Sequence, residues 1–315
     1  MMTASSRSVH GGIFVINKRQ GMTSHDVCAA VKRYFRFKKV GHVGTLDPLA
    51  TGVLPICVNE ATKLVQFLIH QDKEYCCTMQ LGVSTDTHDS HGTICEHGDP
   101  LPRDPELIRQ TIDAFRGELW QTPPMFSAVK RNGVPLYRLA RTGATVERKP
   151  RRIMVKDIEI LAIELPQVIF RVVCSAGTYV RTLCHDIGQR LGCGAHMTAL
   201  ERIRNGSFHL SKAVSLEQLI AVPREQAIEQ YLLPMTMALC GLPEVTVSDA
   251  VAHKLRTGAP VTVGDIRELC IPQVTDGQKL KVVSCHGQLI GIVAPLPPYE
   301  DDGMPAWKTL RVFAG

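Results

Sequence analysis

The side chain most plainly placed for chemistry is Asp47. It lies in Gly41-His42-Val43-Gly44-Thr45-Leu46-Asp47-Pro48-Leu49-Ala50-Thr51-Gly52, where three glycines and one proline shape twelve residues into a loop. Pro48 fixes its own φ and pushes Asp47 towards an extended conformation, while the glycines permit positive φ or close approach. Val53 to Val58 then reads as a short buried strand, with Pro55 pointing to an edge or a bulge. An acid on a rigid loop beside such a strand is the arrangement expected of a catalytic or ligand-binding carboxylate. The same residues could equally make an Asp-Pro turn without function, so other parts of the chain must decide.

A second reactive grouping is Gly177-Thr178-Tyr179-Val180-Arg181. Read as the end of a strand, it puts Tyr179 and Arg181 on one face and Val180 on the other. By itself the Tyr-x-Arg spacing would serve an ordinary surface ion pair just as well. A third grouping, His88, His91, Cys95 and His97, suggests a metal site and through it a metal-dependent hydrolase. Its spacing matches no standard zinc pattern and falls on loop and strand, so a hydrogen-bonded loop is the expected reading. The fourth is the stretch 127–152, with eight basic residues (Lys130, Arg131, Arg138, Arg141, Arg148, Lys149, Arg151, Arg152) against the single acid Glu147. Asn132-Gly133 marks a tight turn, and Pro135 opens a short helix that Gly143 ends. A loop this one-sided in sign, with Tyr137 among its arginines, fits phosphate contact better than a solvated surface.

The elements that must position these groups follow from periodicity. Gly12 to Asn17 is an apolar strand, and Thr23 or Ser24 caps a helix buried through Val27, Val31 and Phe35. Lys32, Arg33, Arg36, Lys38 and Lys39 crowd the end of that helix and bring positive charge to the rim of the Asp47 loop. A short helix spans Glu60 to Leu68 and a strand Lys73 to Leu81. Asp104 caps a helix with Pro105 in its first position, an apolar stripe of Leu107, Ile108, Thr111, Ile112 and Phe115, and Gly117 as its stop. Strands are expected at Ile153 to Val155, Ile158 to Ile163, Val168 to Val173 and from Thr198 towards Phe208. Leu183, Ile187 and Leu191 step along a helix closed by Gly192. Helices follow at Ser215 to Ala221 and from Glu225 to about Leu239. Beyond Cys240-Gly241 the pattern becomes short β-rich runs, with one helix at Ser248 to Leu255 and turns at Asp276-Gly277, His286-Gly287 and Pro295 to Pro298. That tail reads as a small β-barrel-like domain.

The bulk numbers set the class. With 315 residues, 44% hydrophobic and 21% charged, the chain is an ordinary globular protein long enough for one large and one small domain. No apolar run approaches the ~20 residues of a membrane helix, and the polar stretch Met1 to Gly12 carries no secretory signal, so the expected location is cytoplasmic. Eleven cysteines without a Cys-x-x-Cys pair read as reduced thiols. A net charge of +6 favours a polyanionic partner.

The Gly41–Gly52 box and Gly177-Thr178-Tyr179-Val180-Arg181 together resemble the TruB family of tRNA pseudouridine synthases. The resemblance extends through Gly21-Met22-Thr23-Ser24-His25-Asp26, Gly82 with Thr85-Asp86-Thr87-x-Asp89-x-x-Gly92, Thr122 to Ser127, and Leu191-Gly192-Cys193-Gly194-Ala195-His196. It implies an α+β pseudouridine synthase fold: a central mixed, largely antiparallel β-sheet flanked by helices over residues 11–240, with 127–152 as a basic RNA-binding insertion. It implies a PUA-like β-barrel domain at 241–315. Where the family usually has Pro after the first lysine, this chain has Arg19-Gln20 behind Lys18.

The implied activity is isomerisation of uridine-55 in the tRNA T-arm by a cytoplasmic enzyme, expected to be monomeric, needing neither cofactor nor metal and no membrane. The resemblance makes Asp47 the nucleophile, Arg181 its ion-pair partner and Tyr179 the group that removes or relays the C5 proton. It has His42 fill the place of a flipped base, Tyr75 stack on the target uracil and Leu200 line the pocket. Lys18 and Lys63 supply nearby positive charge. Lys130, Arg141, Arg151 and Arg152 meet the T-stem-loop. A module that binds and folds tRNA without chemistry is the alternative, and it would not need Asp47, Tyr75, Tyr179 and Arg181 together. On this reading, Arg151→Glu with Arg152→Glu weakens tRNA binding and flattens its salt dependence; an unchanged affinity across a salt titration would contradict the assignment.

Overall fold

Alternating apolar residues build one large sheet, with its longer helices against one face. The computed structural model describes residues 9–98, 100–273, 277–297 and 302–314; Asp276 and Pro298, read above as turn signals, lie outside them. Strand β1 (Gly11–Lys18) leads to helix α1 (Ser24–Phe35), β2 (Val40–His42) and β3 (Thr51–Asn59). A 3₁₀ turn (Glu60–Leu64) and α2 (Val65–Leu68) precede β4 (Lys73–Leu81), the hairpin β5 (Val83–Thr85) and β6 (Ile94–His97), α3 (Pro105–Asp113) and β7 (Gly117–Gln121). The basic excursion holds β8 (Lys130–Arg131), β9 (Val134–Pro135) and α4 (Leu136–Arg141). After it come β10 (Arg151–Glu164), β11 (Gln167–Cys174), α5 (Val180–Leu191) and β12 (Ala195–Asn205). The short β13 (Phe208–His209) and β14 (Val214–Ser215), then α6 (Leu216–Ala221) and α7 (Arg224–Tyr231), complete the larger unit.

The sheet runs β14-β1-β3-β12-β4-β11-β10-β7, with β2 on β3 and β13 on β12. Only β1–β14 and β3–β12 pair parallel, so it is mixed and largely antiparallel. Strict alternation in β4 turns Tyr75, Cys77 and Met79 towards the core shared with α1, α3 and α5. Strand β1 is buried on both faces. Phe14 and Ile16 join that core, while Ile13 and Val15 join a second one with Val283, Leu289, Ile292 and Phe313 of the C-terminal region.

That region is β15 (Glu244–Val247), α8 (Asp249–Thr257), α9 (Val263–Ile266), β16 (Leu280–Ser284), β17 (Leu289–Pro295) and β18 (Trp307–Val312). Its strands form an open four-stranded sheet in the order β15-β16-β17-β18, not the closed barrel expected from the sequence. Closure needs strand number, tilt and stagger to match, and here β15 and β18 remain as the two edges. Val251, Ala252 and Leu255 of α8 bury the sheet residues Leu280, Val282, Ile290 and Val293 instead.

Other departures have local causes. Pro55 sits in the interior strand β3, opposite Val15. Its carbonyl faces Val43 N (2.9 Å), and since the N and C=O of a strand residue point the same way, its missing N–H leaves the β1 ladder intact. The helix expected to reach Leu239 stops at Tyr231, and Pro234 then starts a separate 3₁₀ turn. Leu107 lies half-exposed on the outer side of α3, off its apolar stripe. The two strands expected between Ile153 and Ile163 are one, β10, with bulges near Val155 and Ile160.

One crossing positions the Asp47 loop. Strand β3 leaves that loop at Gly52 and meets β12 at Arg202. Gly52 has φ +98, and a Cβ there would lie 2.3 Å from the Arg202 carbonyl oxygen. Gly52→Ala is therefore expected to cost at least about 2 kcal/mol, from backbone strain and backbone overlap together, read as a lowered urea midpoint.

Candidate active site

The backbone of the Asp47 loop is satisfied from three directions, which a loop without regular structure requires if it is to be both buried and rigid. From β12, Arg202 donates to Val53 O (Nε, 2.7 Å), Gly44 O (3.0 Å) and Thr45 O (3.4 Å). Asn205 Nδ2 donates to Val43 O at 2.6 Å. From the start of α1, Ser24 Oγ donates to Leu46 O (3.1 Å) and accepts from Leu46 N (2.9 Å). From the turn after β1, Gly21 N donates to Pro48 O at 2.8 Å. Lys18 Nζ reaches the same carbonyl at 3.5 Å and also Met22 O (2.9 Å) and Arg19 O (3.0 Å). The Arg19 side chain turns outward to Glu217 of α6 at 3.3 Å, so the turn closes without the proline of the family pattern.

Asp47 keeps 35% of its side-chain surface exposed, and one carboxylate oxygen is 3.3 Å from the Arg181 guanidinium. Burial pushes its carboxyl above the ordinary 3.8; Arg181 draws it back, Asp89 adds to the rise and Lys18 opposes it. Arg181 is only 5% exposed. It faces Asp89 at 3.6 Å on its other side and donates to Phe126 O at 2.5 Å. Asp89 is fixed in turn by Thr87 Oγ1 (2.8 Å) and His91 N (3.0 Å). One buried cation thus stands between two carboxylates, and Asp47 is the more open of them.

Tyr179 and Arg181 do not share a strand face, as the sequence suggested. Tyr179 is the N-cap of α5 and Arg181 lies in its first turn. The turn Ser175-Ala176-Gly177-Thr178, with Gly177 at φ +87, redirects the chain before the apolar helical period begins. The two side chains still meet, with the Arg181 guanidinium carbon 5.9 Å from the centre of the Tyr179 ring. Gln121 of β7 clamps the Tyr179 peptide, accepting from its N (2.8 Å) and donating to its O (3.1 Å). Burial raises the Tyr179 phenol above 10, against the pull of Ser127 and Arg181.

Other sequence-derived residues divide. Tyr75 and Arg202 face each other across β4 and β12, and Leu200, half-buried, lies two pairs further along that ladder opposite Cys77. Burial, Arg202 and His25 lower the His42 imidazole, keeping it neutral at the end of β2. Burial lowers the Lys18 amine to about 8. Lys63 is directed elsewhere, to Glu60 (2.7 Å) and to Val312 O of β18 (3.3 Å). Lys130 and Arg141 are exposed on the excursion, Arg141 over the Tyr137 ring. Arg151 is exposed, whereas Arg152 pairs with Glu118. The four candidate metal ligands do not gather. His88 stacks flat on His185 at 4.0 Å between ring centres, and among the described residues the one group with metal-ligand proximity is Asp249, Cys285 and His286 on the surface of the C-terminal region.

Sequence reasoning missed Asp89, Gln121, Arg202, Asn205 and Ser24 as parts of this site. Asp89 and Ser24 lie within motif stretches already singled out; the other three carried no local signal.

Residues 32–180 match the family described as "TruB family pseudouridylate synthase (N terminal domain)", and residues 181–240 match "tRNA pseudouridylate synthase B C-terminal domain". The chain resembles the "tRNA pseudouridine synthase B" of Syntrophus aciditrophicus (strain SB), 43% identical over 307 residues, 96% of this chain and 98% of that one. It resembles that of Geobacter sulfurreducens at 42% over 302 residues, 96% and 99% of the two chains. Among solved structures it superposes on a chain of an H/ACA RNP bound to a substrate RNA containing 2'-deoxyuridine (TM-score 0.74, 27% identity, 96% of this chain and 85% of that one). It superposes equally on a chain of a Cbf5-Nop10-Gar1 complex (TM-score 0.74, 29% identity, the same coverage). Fold and sequence together define the class as pseudouridine synthases, which are isomerases. The chain belongs to the TruB family.

Arg181→Met leaves Asp47 and Asp89 facing each other without a cation. Stability at pH 7 is expected to fall by about 3 kcal/mol. The loss should shrink towards pH 4, because protonating either carboxyl removes the repulsion; urea melts at the two pH values measure both.

Proposed function

We infer that this enzyme converts uridine-55 in the T-arm loop of tRNA to pseudouridine. The observation that carries this reading is the Asp47 carboxylate: anchored through its backbone on three sides, paired at 3.3 Å with a buried guanidinium, and open on its remaining face. The relatives that share 42–43% identity over nearly the whole chain are named for tRNA, whereas the H/ACA and Cbf5 chains stand at 27–29%. That contrast favours a stand-alone tRNA enzyme over a guide-dependent one.

The reaction breaks the N1–C1′ bond, turns the uracil, joins C5 to C1′ and finally removes the C5 proton while N1 takes one up, so that the product is an isomer of the substrate. The uridine must first leave its stack, at a cost of a few kcal/mol. His42, held neutral, presents a ring to the vacated place, and Tyr75 presents one to the extruded base. Asp47 supplies the nucleophile, at uracil C6 or at sugar C1′; Arg181 aims it and keeps it ionised. Lys18 adds charge from behind while bonding the Pro48 carbonyl. Tyr179, whose phenol stays protonated at neutral pH, suits a relay that accepts the C5 proton as it passes on its own. Leu200 offers apolar contact at the ladder beside Tyr75. Lys130, Arg141, Arg151 and Arg152 provide cations for phosphates, Arg151 most freely because Arg152 already meets Glu118. Lys63, engaged by the C-terminal sheet, acts there and not on the base.

Incubation with an unmodified tRNA transcript and mapping of pseudouridine tests the reading: the T-loop uridine should be converted. Asp47→Asn should abolish conversion yet leave tRNA bound, whereas His42→Ala should weaken binding and flipping. For the wild type, the single-turnover rate should fall as pH falls through the Asp47 titration, and the raised carboxyl places that limb above pH 3.8. An inactive wild type, or full activity in Asp47→Asn, would overturn the assignment.

A further inference from the structure

Five cations at the corner between α1 and β2 are not used by the site described above. Lys32, Arg33, Arg36, Lys38 and Lys39 are all exposed, and none has an acidic partner among the described residues. The helix macrodipole accounts for the two in the last turn of α1, Lys32 and Arg33. It does not account for Arg36, Lys38 and Lys39, which lie beyond the helix end. Glu60, the acid lying towards Lys39, is held by Lys63 (2.7 Å) and by Ala314 N (2.9 Å), so it does not neutralise the corner.

Its position gives this charge a purpose. Lys39 is tied through its backbone to Asn59, accepting from Asn59 N at 2.8 Å, and β2 begins at the next residue. His42 is three residues on, about 10 Å along an extended strand. The corner therefore borders the His42 end of the site on the β3 side of the sheet. The other basic surface, at 127–152, is rooted between β7 and β10. Sheet order separates β3 from β7 by five strand spacings, about 24 Å. Tyr75, on β4, lies in the sheet between these two sides, and the Asp47 loop runs on from the first of them.

We propose that the α1–β2 corner is a second RNA-binding surface, contacting phosphates of the substrate outside the stem-loop held by the 127–152 excursion. The proposal rests on the reading of the chain as a tRNA enzyme and extends it: the enzyme grips its substrate on both sides of the flipped nucleotide, and the second grip needs an RNA longer than the isolated T stem-loop. A phosphodiester backbone is the partner that fits, since among the described residues of this corner the exposed side chains are cations and none is a large apolar one that would offer a protein a platform.

The test uses the full chain carrying Lys32→Gln, Arg33→Gln, Lys38→Gln and Lys39→Gln, which keeps good helix formers in the last turn of α1. Affinity and turnover are measured for an intact tRNA transcript and for the isolated T stem-loop over a salt series. The expected result is about a 10-fold or greater loss of affinity for the intact tRNA and a salt slope shallower by about 3, with stem-loop affinity and turnover unchanged. A variant Lys38→Glu alone should show a smaller loss in the same direction, and matched thermal melts show that folding is intact. Equal weakening for both RNAs would place the contact on the stem-loop and overturn the proposal, as would no change for either. If wild-type enzyme converts neither RNA, the activity assignment fails; if it converts both while the quadruple variant binds intact tRNA normally, only the second surface fails.

Discussion

A guanidinium buried without a carboxylate organises this protein. Arg202 is 1% exposed, and its neighbours are backbone carbonyls and the Tyr75 phenol. A charge in such a place is costly unless its donors are used, and three loop and strand carbonyls use them. The exchange works in both directions. The carbonyls of Val43, Gly44 and Thr45 belong to a loop with no ladder of its own, and without Arg202 and Asn205 they would be orphaned beneath the surface. Satisfying a buried cation and fixing the Asp47 loop are therefore one event. Gly52 is part of it, because only a residue without Cβ lets β3 pass so close to the Arg202 backbone.

The electrostatics of the site divide into a hidden half and an open half. Arg202, Lys18 and Lys73 are buried cations spent on backbone oxygens, and burial lowers both lysines to about 8. Arg181 is the buried cation left for carboxylates, and it has two. Asp89 is bound by its own loop, so Asp47 is the oxygen source free to act. The Asp47 carboxyl is held in place by a guanidinium that cannot lose its proton and cannot easily move.

How much of this was legible depended on range. The Asp47 loop could be read because Gly and Pro constrain the chain wherever they occur. The helices α1, α3 and α5 and the strand β4 could be read because their apolar periods are unbroken. The Tyr179–Arg181 pairing was expected for the wrong reason: a strand geometry was assumed where a helix begins, and the two side chains meet because a cap and a first turn also bring them together. Lys63 was placed near Asp47 by resemblance, yet it binds the end of β18, some 250 positions later in the chain. The tail was read as a barrel because short strands with turns between them look alike whether or not they close. Closure depends on strand number and on what covers the faces.

The sequence by itself determined which residues could do chemistry, which stretches are strands or helices, and that a basic surface accompanies an acid on a stiff loop. These follow from local dihedral preference and from the period of apolar side chains, both written within a few residues. Only the tertiary structure decided that Arg202 and Asn205 hold the loop, that Asp89 shares Arg181 with Asp47, and that Gln121 steadies Tyr179. Those partners come from strands whose meeting depends on sheet order and register. No window of sequence contains that information, because a buried charge is matched by whichever dipoles the completed fold brings to it.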